Sequence, residues 1–291
     1  MTRGVWLSVS ASTLFGVMYY ATTLLAPLDG EDIFAWRMIF TSPFLAIFVW
    51  LNGDMHYVKT IWRRVLEKPW MVLVLLTSSS LMGVQLWLFL WAPLHEKALE
   101  VSLGYFMLPL TLIFTGRLVF GEKLSALQQL AALSALAGVT HELVRIGSFS
   151  WPALVVAVGY PIYFVLRRKF SLDNIGGFWF DLMLLVPVAI WFALAGRLDF
   201  ALLQQETQLM WLLPSLGLIS ACALIAYILA SRMLNMGLFG LLGYVEPVLL
   251  LAVALALGEQ LTPEELFTYG PIWLAVIILA LEGGMFLSRK R

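Results

Sequence analysis

The chain has 291 residues, of which 61% are apolar and only 12% are charged, whereas ordinary soluble domains carry about 25% charged residues. This leaves too little polar surface to cover a globule and excludes a soluble protein. The 18 basic and 18 acidic side chains cancel, so the chain offers no net positive field for nucleic acid. The single cysteine, Cys222, has no disulfide partner, and no pair of Cys or His has metal-ligand spacing, so we expect no metal and no cofactor.

Apolar runs follow one another along the chain, separated by charged residues or by Gly and Pro. Most are close to the ~20 residues that an α-helix needs to cross a bilayer, and none alternates like the strands of an outer-membrane barrel. The first run lacks the basic leader and cleavage site of a signal peptide, so we expect a retained helix. We predict an all-α polytopic membrane protein with ten transmembrane helices, at about residues 4–26, 33–51, 70–92, 98–119, 125–144, 149–166, 175–196, 210–234, 238–258 and 264–287.

Lys and Arg are distributed unequally between alternate connections of these helices. The side of the N-terminus receives fourteen of the basic residues, and the opposite side receives only Lys97, Arg145 and Arg197. Cytoplasmic loops carry the excess of positive charge in membrane proteins. We therefore predict a multi-pass protein of the bacterial inner membrane with both termini in the cytoplasm.

One short segment occurs twice, as GEKLSALQQ at 121–129 and as GEQLTPEEL at 258–266. Both copies have the pattern of a capping box, Ser or Thr followed three residues later by Gln or Glu, which begins a helix; these pairs are Ser125 with Gln128 and Thr262 with Glu265. Each copy follows an apolar run with Gly-Tyr and then a proline, namely Gly104, Tyr105 and Pro109 in the first and Gly243, Tyr244 and Pro247 in the second.

The two copies lie after the fourth and after the ninth predicted helix. This predicts one five-helix unit in residues 1–147 and a second in residues 148–291. Since five is an odd number, the second unit is upside down in the bilayer relative to the first. Inverted repeats of this kind are typical of secondary transporters, which bind substrate near the midplane between the repeats.

At these residues the chain resembles the EamA-type drug/metabolite transporter superfamily, and most closely its RarD branch. The likeness covers nearly the whole chain, and it implies ten spans in two inverted five-helix repeats. The chain departs from the branch at Leu108, where the branch tends to have Asn, and at Glu246, where it tends to have a small residue. The substrate of better-known members therefore does not transfer. The residues that carry the likeness are Leu88, Phe89, Trp91, Ala92, 99–106 (LEVSLGYF), Pro109, 121–123 (GEK), Arg37, Asp181, Pro187, Arg232, Tyr244, Pro247 and Trp273.

Three charged residues fall inside predicted spans. Glu246 lies near the bilayer centre, where a carboxylate needs a partner or a wet cavity and desolvation favours the neutral acid. It is either a proton site that also binds an ammonium group or a neutral acid bonded to Tyr244 or to a facing helix. Asp181 cannot snorkel far and is the second candidate for proton coupling. Arg37, about one turn inside its span, has a gating or structural role or snorkels to the headgroups.

Prolines and aromatic residues complete the predicted site. Pro109 and Pro247 each remove a helical hydrogen bond and are candidates for gating or structural points, and the bond lost at Pro247 frees the Gly243 carbonyl. Gln85 is a polar residue within the third span. For a single aromatic residue, packing or the interfacial belt is the alternative to substrate binding. In related transporters, spans one, three, four, six, eight and nine wall the cavity, which by resemblance adds Tyr19, Trp87, Trp91, Tyr105, Tyr160, Tyr163, Tyr244 and Glu246 to Gln85.

The sequence has no P-loop and no HExxH or GxSxG motif, so neither direct ATP drive nor an enzyme is expected. The leading hypothesis is a secondary transporter that exports a small amphiphilic or zwitterionic metabolite by alternating access, with protons as the candidate coupling ion. An amino-acid-like compound, an opine-type metallophore and a drug all suit an aromatic cavity with one acid. A gradient-driven facilitator or channel, an importer and a membrane scaffold are the alternatives. The expected partners are this small molecule, the lipid bilayer and protons, without nucleic acid.

Overall fold

The computed structural model describes residues 2–22, 24–25, 28–94, 97–147, 151–195, 208–249 and 263–288. Throughout these ranges the regular secondary structure is helical, with a further helical segment at 245–249. The helices are α1 (Thr2–Thr22), α2 (Gly30–Leu51), α3 (Met55–Glu67), α4 (Met71–Leu94), α5 (Ala98–Phe120), α6 (Ala126–Ile146), α7 (Trp151–Lys169), α8 (Ile175–Ala195), α9 (Leu209–Met233), α10 (Met236–Leu242) and α11 (Glu265–Ser288).

Several of these helices are built to cross a membrane. Five stretches within the described residues are long and apolar enough to do so, and two shorter apolar stretches lie at Met236–Leu249 and Leu266–Glu282. Large apolar side chains remain exposed on the outer helix faces, as expected of surfaces that face lipid rather than water. The prediction of an all-α polytopic membrane protein is therefore confirmed. The five long stretches are Gly30–Leu51, Met71–Phe89, Leu103–Phe120, Ile175–Leu194 and Leu209–Met233.

Local capping explains where helices begin and end. The Ser125 hydroxyl accepts from the Gln128 backbone N–H at 3.1 Å, and the Gln128 side chain accepts from the Ser125 N–H at 3.2 Å. This is the predicted capping box at the start of α6. Gly121 ends α5 with a φ of 64°, a conformation that glycine adopts without strain. The second copy of the motif, around Thr262, lies outside the described residues.

Helix α3 occupies a segment that the sequence analysis treated as a connection. Its buried face consists of Val58, Ile61 and Val65, spaced three and four residues apart, and the helix packs against α8. The Arg64 guanidinium also donates to the Phe170 carbonyl at 2.8 Å. This helix has only 13 residues and carries four charged side chains, so it is too short and too polar to be recognised as a membrane-spanning run of ~20 apolar residues.

The helices form one bundle of closely packed neighbours. Helix α1 packs on α9, and α7 packs on α4; α2 packs on α9, and α8 packs on α4. The pairs α2 with α8 and α5 with α10 meet in the interior, and α5 also packs on α7. This arrangement brings α2, α5, α7 and α9 around the middle of the bundle.

Helices α6 and α11 form an antiparallel pair joined by polar contacts along its length. At one end the Ser125 hydroxyl donates to the Glu282 carboxylate at 2.6 Å. In the middle the Ser134 hydroxyl donates to the Pro271 carbonyl at 2.7 Å. At the other end the Thr268 hydroxyl donates to the buried Glu142 carboxylate at 2.6 Å. In lipid, such interhelical hydrogen bonds stabilise helix association where the hydrophobic effect does not.

Candidate functional site

The helix is interrupted next to Glu246. Helix α10 ends at Leu242, a turn follows at 243–244, and helical backbone resumes at 245–249. Pro247 has no N–H to donate to the Gly243 carbonyl; this carbonyl instead accepts the N–H of Glu246 at 3.2 Å. The predicted loosening of the helix beside the acid is therefore present. The prediction of a free Gly243 carbonyl is wrong, because the tighter turn satisfies it from one residue earlier.

Five residues from five segments surround the middle of the bundle. The Glu246 carboxylate lies within electrostatic range of the Arg37 guanidinium on α2 and of phenol groups on α5, α7 and α9. Within the described ranges this carboxylate makes no hydrogen bond, and its side chain remains partly accessible although helices surround it. We call this set the central cluster: Arg37, Tyr105, Tyr160, Tyr227 and Glu246.

Arg37 points into the bundle and does not snorkel to the headgroups. Its side chain is 3% exposed, and its Nε donates to the Ser220 hydroxyl on α9 at 2.9 Å. The guanidinium also interacts electrostatically with the phenols of Tyr105 and Tyr160. A cation held at this place by a second helix is positioned for a ligand or for an internal counter-ion, which the sequence alone left undecided.

The phenols of the central cluster form part of an aromatic wall. The ring centroids of Tyr105 and Tyr160 are 6.4 Å apart, and Tyr160 stacks on Phe164. Tyr227, which the sequence analysis did not single out, contacts Phe239 with a centroid distance of 4.8 Å and Phe164 with one of 5.9 Å. Such a wall offers apolar faces for a ligand body and hydroxyls for its polar groups.

Asp181 belongs to a separate, closed network. Its carboxylate forms a fully buried ion pair with Arg167 and accepts the Tyr163 hydroxyl at 3.0 Å. The same guanidinium donates to the Asn174 carbonyl at 2.9 Å. The structure thus pairs two of the predicted site residues, Tyr163 and Asp181, with Arg167. Arg167 follows the predicted span at 149–166 directly and is one of the fourteen basic residues assigned to the connections on the side of the N-terminus. Tyr163 and Arg167 are four residues apart on one helix face, which was the available signal.

The predicted residues of α4 lie against α7. The Gln85 side chain, 1% exposed, donates to the Val155 carbonyl at 2.7 Å and packs on Gly159, next to Tyr160. Trp87 and Trp91 contact each other with ring centroids 5.1 Å apart. Gln85 therefore packs on the residue that precedes Tyr160 of the central cluster. The side chain of Tyr19, also a predicted site residue, lies outside the described part of the structure.

Tyr244 and Pro109 mark the crossing of α5 and α10. The Tyr244 hydroxyl is buried and donates to the Phe106 carbonyl at 3.0 Å. A Cβ placed on Gly240 would lie 2.8 Å from the Pro109 carbonyl, so the two backbones come unusually close. Helix α5 continues through Pro109 without a break, unlike the chain at Pro247. Since the Tyr244 hydroxyl donates to the Phe106 carbonyl, it does not bond to Glu246; Tyr244 was one of the two partners considered for a neutral Glu246.

A further polar network, absent from the predicted site, joins both halves of the chain at Glu122. Its carboxylate accepts the backbone N–H groups of Met236 at 2.8 Å and Gly237 at 2.9 Å, at the start of α10. It also pairs with Arg168 at 3.0 Å, and this guanidinium donates to the Leu234 carbonyl. The glutamate of the repeated motif thus holds a helix of the other half in place.

Comparison with known proteins places the chain in a family. The model of the EamA-like transporter family matches residues 2–141. An uncharacterized transporter of Pasteurella multocida is 42% identical over 100% of this chain and 99% of its own length. The chloramphenicol-sensitive protein RarD of Pseudomonas aeruginosa is 43% identical over 99% of this chain and 97% of its own length. The chain belongs to the EamA-like transporter family, in its RarD branch.

A more distant relative is also named RarD, and a solved structure has a similar fold. Protein RarD of Escherichia coli is 28% identical over 96% of this chain and 94% of its own. A crystal structure aligns with 98% of this chain and 99% of that one at a TM-score of 0.67, with 17% identity, and supports the fold alone. This EamA-like protein is thus a membrane transporter and not an enzyme. In the part of the chain that the structure describes, no group of His, Cys, Asp or Glu could hold a metal ion.

Proposed function

We propose that this transporter is a secondary exporter of a small amphiphilic or zwitterionic metabolite, which works by alternating access and exchanges the substrate for protons. The proposal includes two inverted five-helix repeats, residues 1–147 and 148–291, with ten spans in the inner membrane. The first repeat would contain α1, α2, α4, α5 and α6. The second would contain α7, α8, α9, α10 with segment 245–249, and α11.

The helix packing supports these repeats. The counterparts are α1 and α7, α2 and α8, α4 and α9, α5 and α10, and α6 and α11. When each helix is exchanged for its counterpart, the contact between α1 and α9 becomes the contact between α7 and α4. In the same way, the contact of α2 with α9 becomes that of α8 with α4, and the contact of α5 with α7 becomes that of α10 with α1. The pairs α2 with α8, α5 with α10, and α6 with α11 map onto themselves. A pseudo-two-fold axis between inverted halves produces this pattern.

The observation that carries the proposal is the composition of the central cluster. Arg37 and Tyr105 come from the first half, and Tyr160, Tyr227 and Glu246 come from the second. Secondary transporters bind substrate at such an interface between repeats, where rocking of the halves exposes one site to each side in turn. Gln85 and the tryptophans of α4 extend the proposed binding site, whereas Asp181, already paired with Arg167, is the secondary candidate for proton coupling.

Glu246 supplies a simple means of coupling. Its carboxylate makes no hydrogen bond with the described residues, so it can bind a proton or a cationic group without breaking an existing contact. Proton and substrate would then compete for one acid, and substrate binding should weaken as the pH falls, because protonation removes the negative charge. Such competition is sufficient for proton-driven antiport.

Reconstituted vesicles with an imposed pH gradient test the proposal. Addition of a transported metabolite should release protons from the acidic side, which a pH-sensitive dye records. Glu246→Gln should fold, because the amide resembles the protonated acid in size and polarity. It should retain substrate exchange but lose its pH dependence, while Glu264→Gln, at an exposed position, should behave as the wild type. Wild-type pH dependence in the Glu246 variant would show that the acid is structural, and saturable exchange without any proton dependence would favour a facilitator.

A further inference from the structure

We infer that the central cluster binds a zwitterion, with the substrate carboxylate on Arg37 and the substrate ammonium group on Glu246. The inference rests on the proposed function and narrows its substrate from an amphiphilic metabolite to one that carries both charges. It starts from two opposite charges that come from different helices and lie in the same aromatic surroundings.

The guanidinium of Arg37 has unused donors. Arginine carries five N–H groups, and in the described structure only the Nε group of Arg37 has a hydrogen-bond acceptor, the Ser220 hydroxyl. The other groups form the planar fork that matches a carboxylate with two parallel hydrogen bonds. Neither terminal nitrogen of Arg37 is among the enclosed, unpartnered polar atoms of the described residues, so a ligand can reach both, and a carboxylate-bearing ligand fits this position.

Glu246 offers the complementary half of the site. The carboxylate is free of hydrogen bonds to the described residues, and the phenols of Tyr105, Tyr160 and Tyr227 lie around it. An ammonium group there would gain the negative charge and the electron-rich faces of the rings. The rings would also contact the apolar body of the substrate.

The Arg37 guanidinium and the Glu246 carboxylate interact electrostatically without forming an ion pair. The ion pairs among the described residues are Lys97 with Glu100, Arg145 with Glu142, Arg167 with Asp181, and Arg168 with Glu122. Arg37 and Glu246 are close enough to interact electrostatically, but they are not paired. A zwitterion would bridge them and leave neither charge uncompensated, whereas a substrate of single charge would satisfy one and desolvate the other.

Three matched sets of small probes test this assignment on the full-length protein in lipid nanodiscs. Each set contains an amino acid, the amine without its carboxylate and the acid without its ammonium group, built on the side chains of alanine, leucine and phenylalanine. Binding is measured by the ligand-dependent shift of the thermal unfolding midpoint and by isothermal titration. In at least one set we expect the zwitterion to bind about tenfold or more tightly than either analogue, as a lost charge-assisted hydrogen bond predicts.

Two variants assign the charges. Arg37→Gln should remove the preference for the amino acid over the amine, and Glu246→Gln should remove the preference over the acid. Arg117→Gln, at an exposed position, should keep the wild-type preference. If Arg37→Gln does not fold, Arg37→Lys preserves the charge but not the fork and should weaken binding of the amino acid and of the acid, but not of the amine.

The outcomes separate this inference from the proposed function. If no set favours its zwitterion, or if both variants keep the wild-type preference, the assignment is overturned. Proton-coupled flux of a singly charged probe without flux of its amino acid would overturn the zwitterion site and retain the exporter. Zwitterion-selective binding that responds to both variants would support the site even if flux proved independent of protons.

Discussion

Arg167 on α7 and Asp181 on α8 form an ion pair that is withdrawn from solvent, with the two side chains 2% and 0% exposed. The Tyr163 hydroxyl donates to the same Asp181 oxygen, Oδ2, and the Asn174 carbonyl accepts from the Arg167 guanidinium, while Asp181 Oδ1 is buried without a hydrogen-bond partner among the described residues. Such a pair joins two helices and is not available to a ligand unless its partners separate. Replacing one partner should therefore change the free energy of unfolding by a different amount than replacing both.

Asp181→Asn should destabilise the protein by about 3–5 kcal/mol, because it leaves the Arg167 guanidinium buried without its counter-ion. Replacing both partners by apolar residues, with Arg167→Met and Asp181→Leu, should cost less than the single change. Lys97→Ala should cost under about 1 kcal/mol, since its pair with Glu100 is partly exposed. Thermal unfolding in detergent measures these differences. If the single and double variants unfolded alike, the pair would not act as a unit.

Glu122→Ala should weaken the junction between α10 and the connection of α5 to α6. The change removes the acceptor for the Met236 and Gly237 N–H groups and the partner of Arg168, and we expect a loss of about 1–3 kcal/mol. Glu122→Gln should retain part of the effect, since an amide oxygen still accepts one N–H. The neighbouring Lys123→Ala, at an exposed position, should be neutral. Equal unfolding midpoints for the Glu122 and Lys123 variants would contradict the contact.

Pro247→Ala should slow transport more than it weakens substrate binding. Alanine restores an N–H that can donate to the Gly243 carbonyl, so the break between α10 and segment 245–249 should close and stiffen the region. We expect about a tenfold lower transport rate, equivalent to ~1.4 kcal/mol in the barrier. Pro109→Ala should have a smaller effect, because α5 is already continuous. Pro187→Ala on the exposed side of α8 is the control, and equal losses of binding and rate at Pro247 would indicate a purely structural role.

Single cysteines test the orientation predicted from the Lys and Arg distribution. In a background without Cys222, which is exposed, Glu31→Cys and Arg197→Cys should react with an impermeant thiol reagent added to intact cells. Lys59→Cys and Ser288→Cys should react only after the membrane is opened. The reverse labelling pattern would invert the topology and remove the support for export.

The helices themselves were largely predictable, because run length and capping are local properties. The start of α6 at Ser125 follows from four consecutive residues. In contrast, the contact of Arg167 with Asp181 depends on which helix faces meet, and counting basic residues by loop assigns Arg167 to the wrong environment. Nothing local to Tyr227 distinguishes it from a packing residue.

The candidate site shows the same division between local and long-range information. Glu246 was recognised because a carboxylate at the bilayer centre is costly wherever its helix packs. Its proximity to Arg37 depends on the packing of segments from opposite halves of the chain, which one sequence without aligned relatives does not reveal. The buried position of Arg37 was likewise undecided until its contact with Ser220 was seen.

Helices α6 and α11 form a rigid pair that can serve as a reference for measuring motion elsewhere in this protein. The hydrogen bonds of Ser125, Ser134 and Thr268 to the facing helix are spread from end to end, so neither helix can slide along the other without breaking all three. Distances between probes placed on these two helices should therefore stay constant while the rest of the bundle rearranges. Distances from spin labels on this pair to labels on α10 and its neighbours would therefore measure the displacement of those helices.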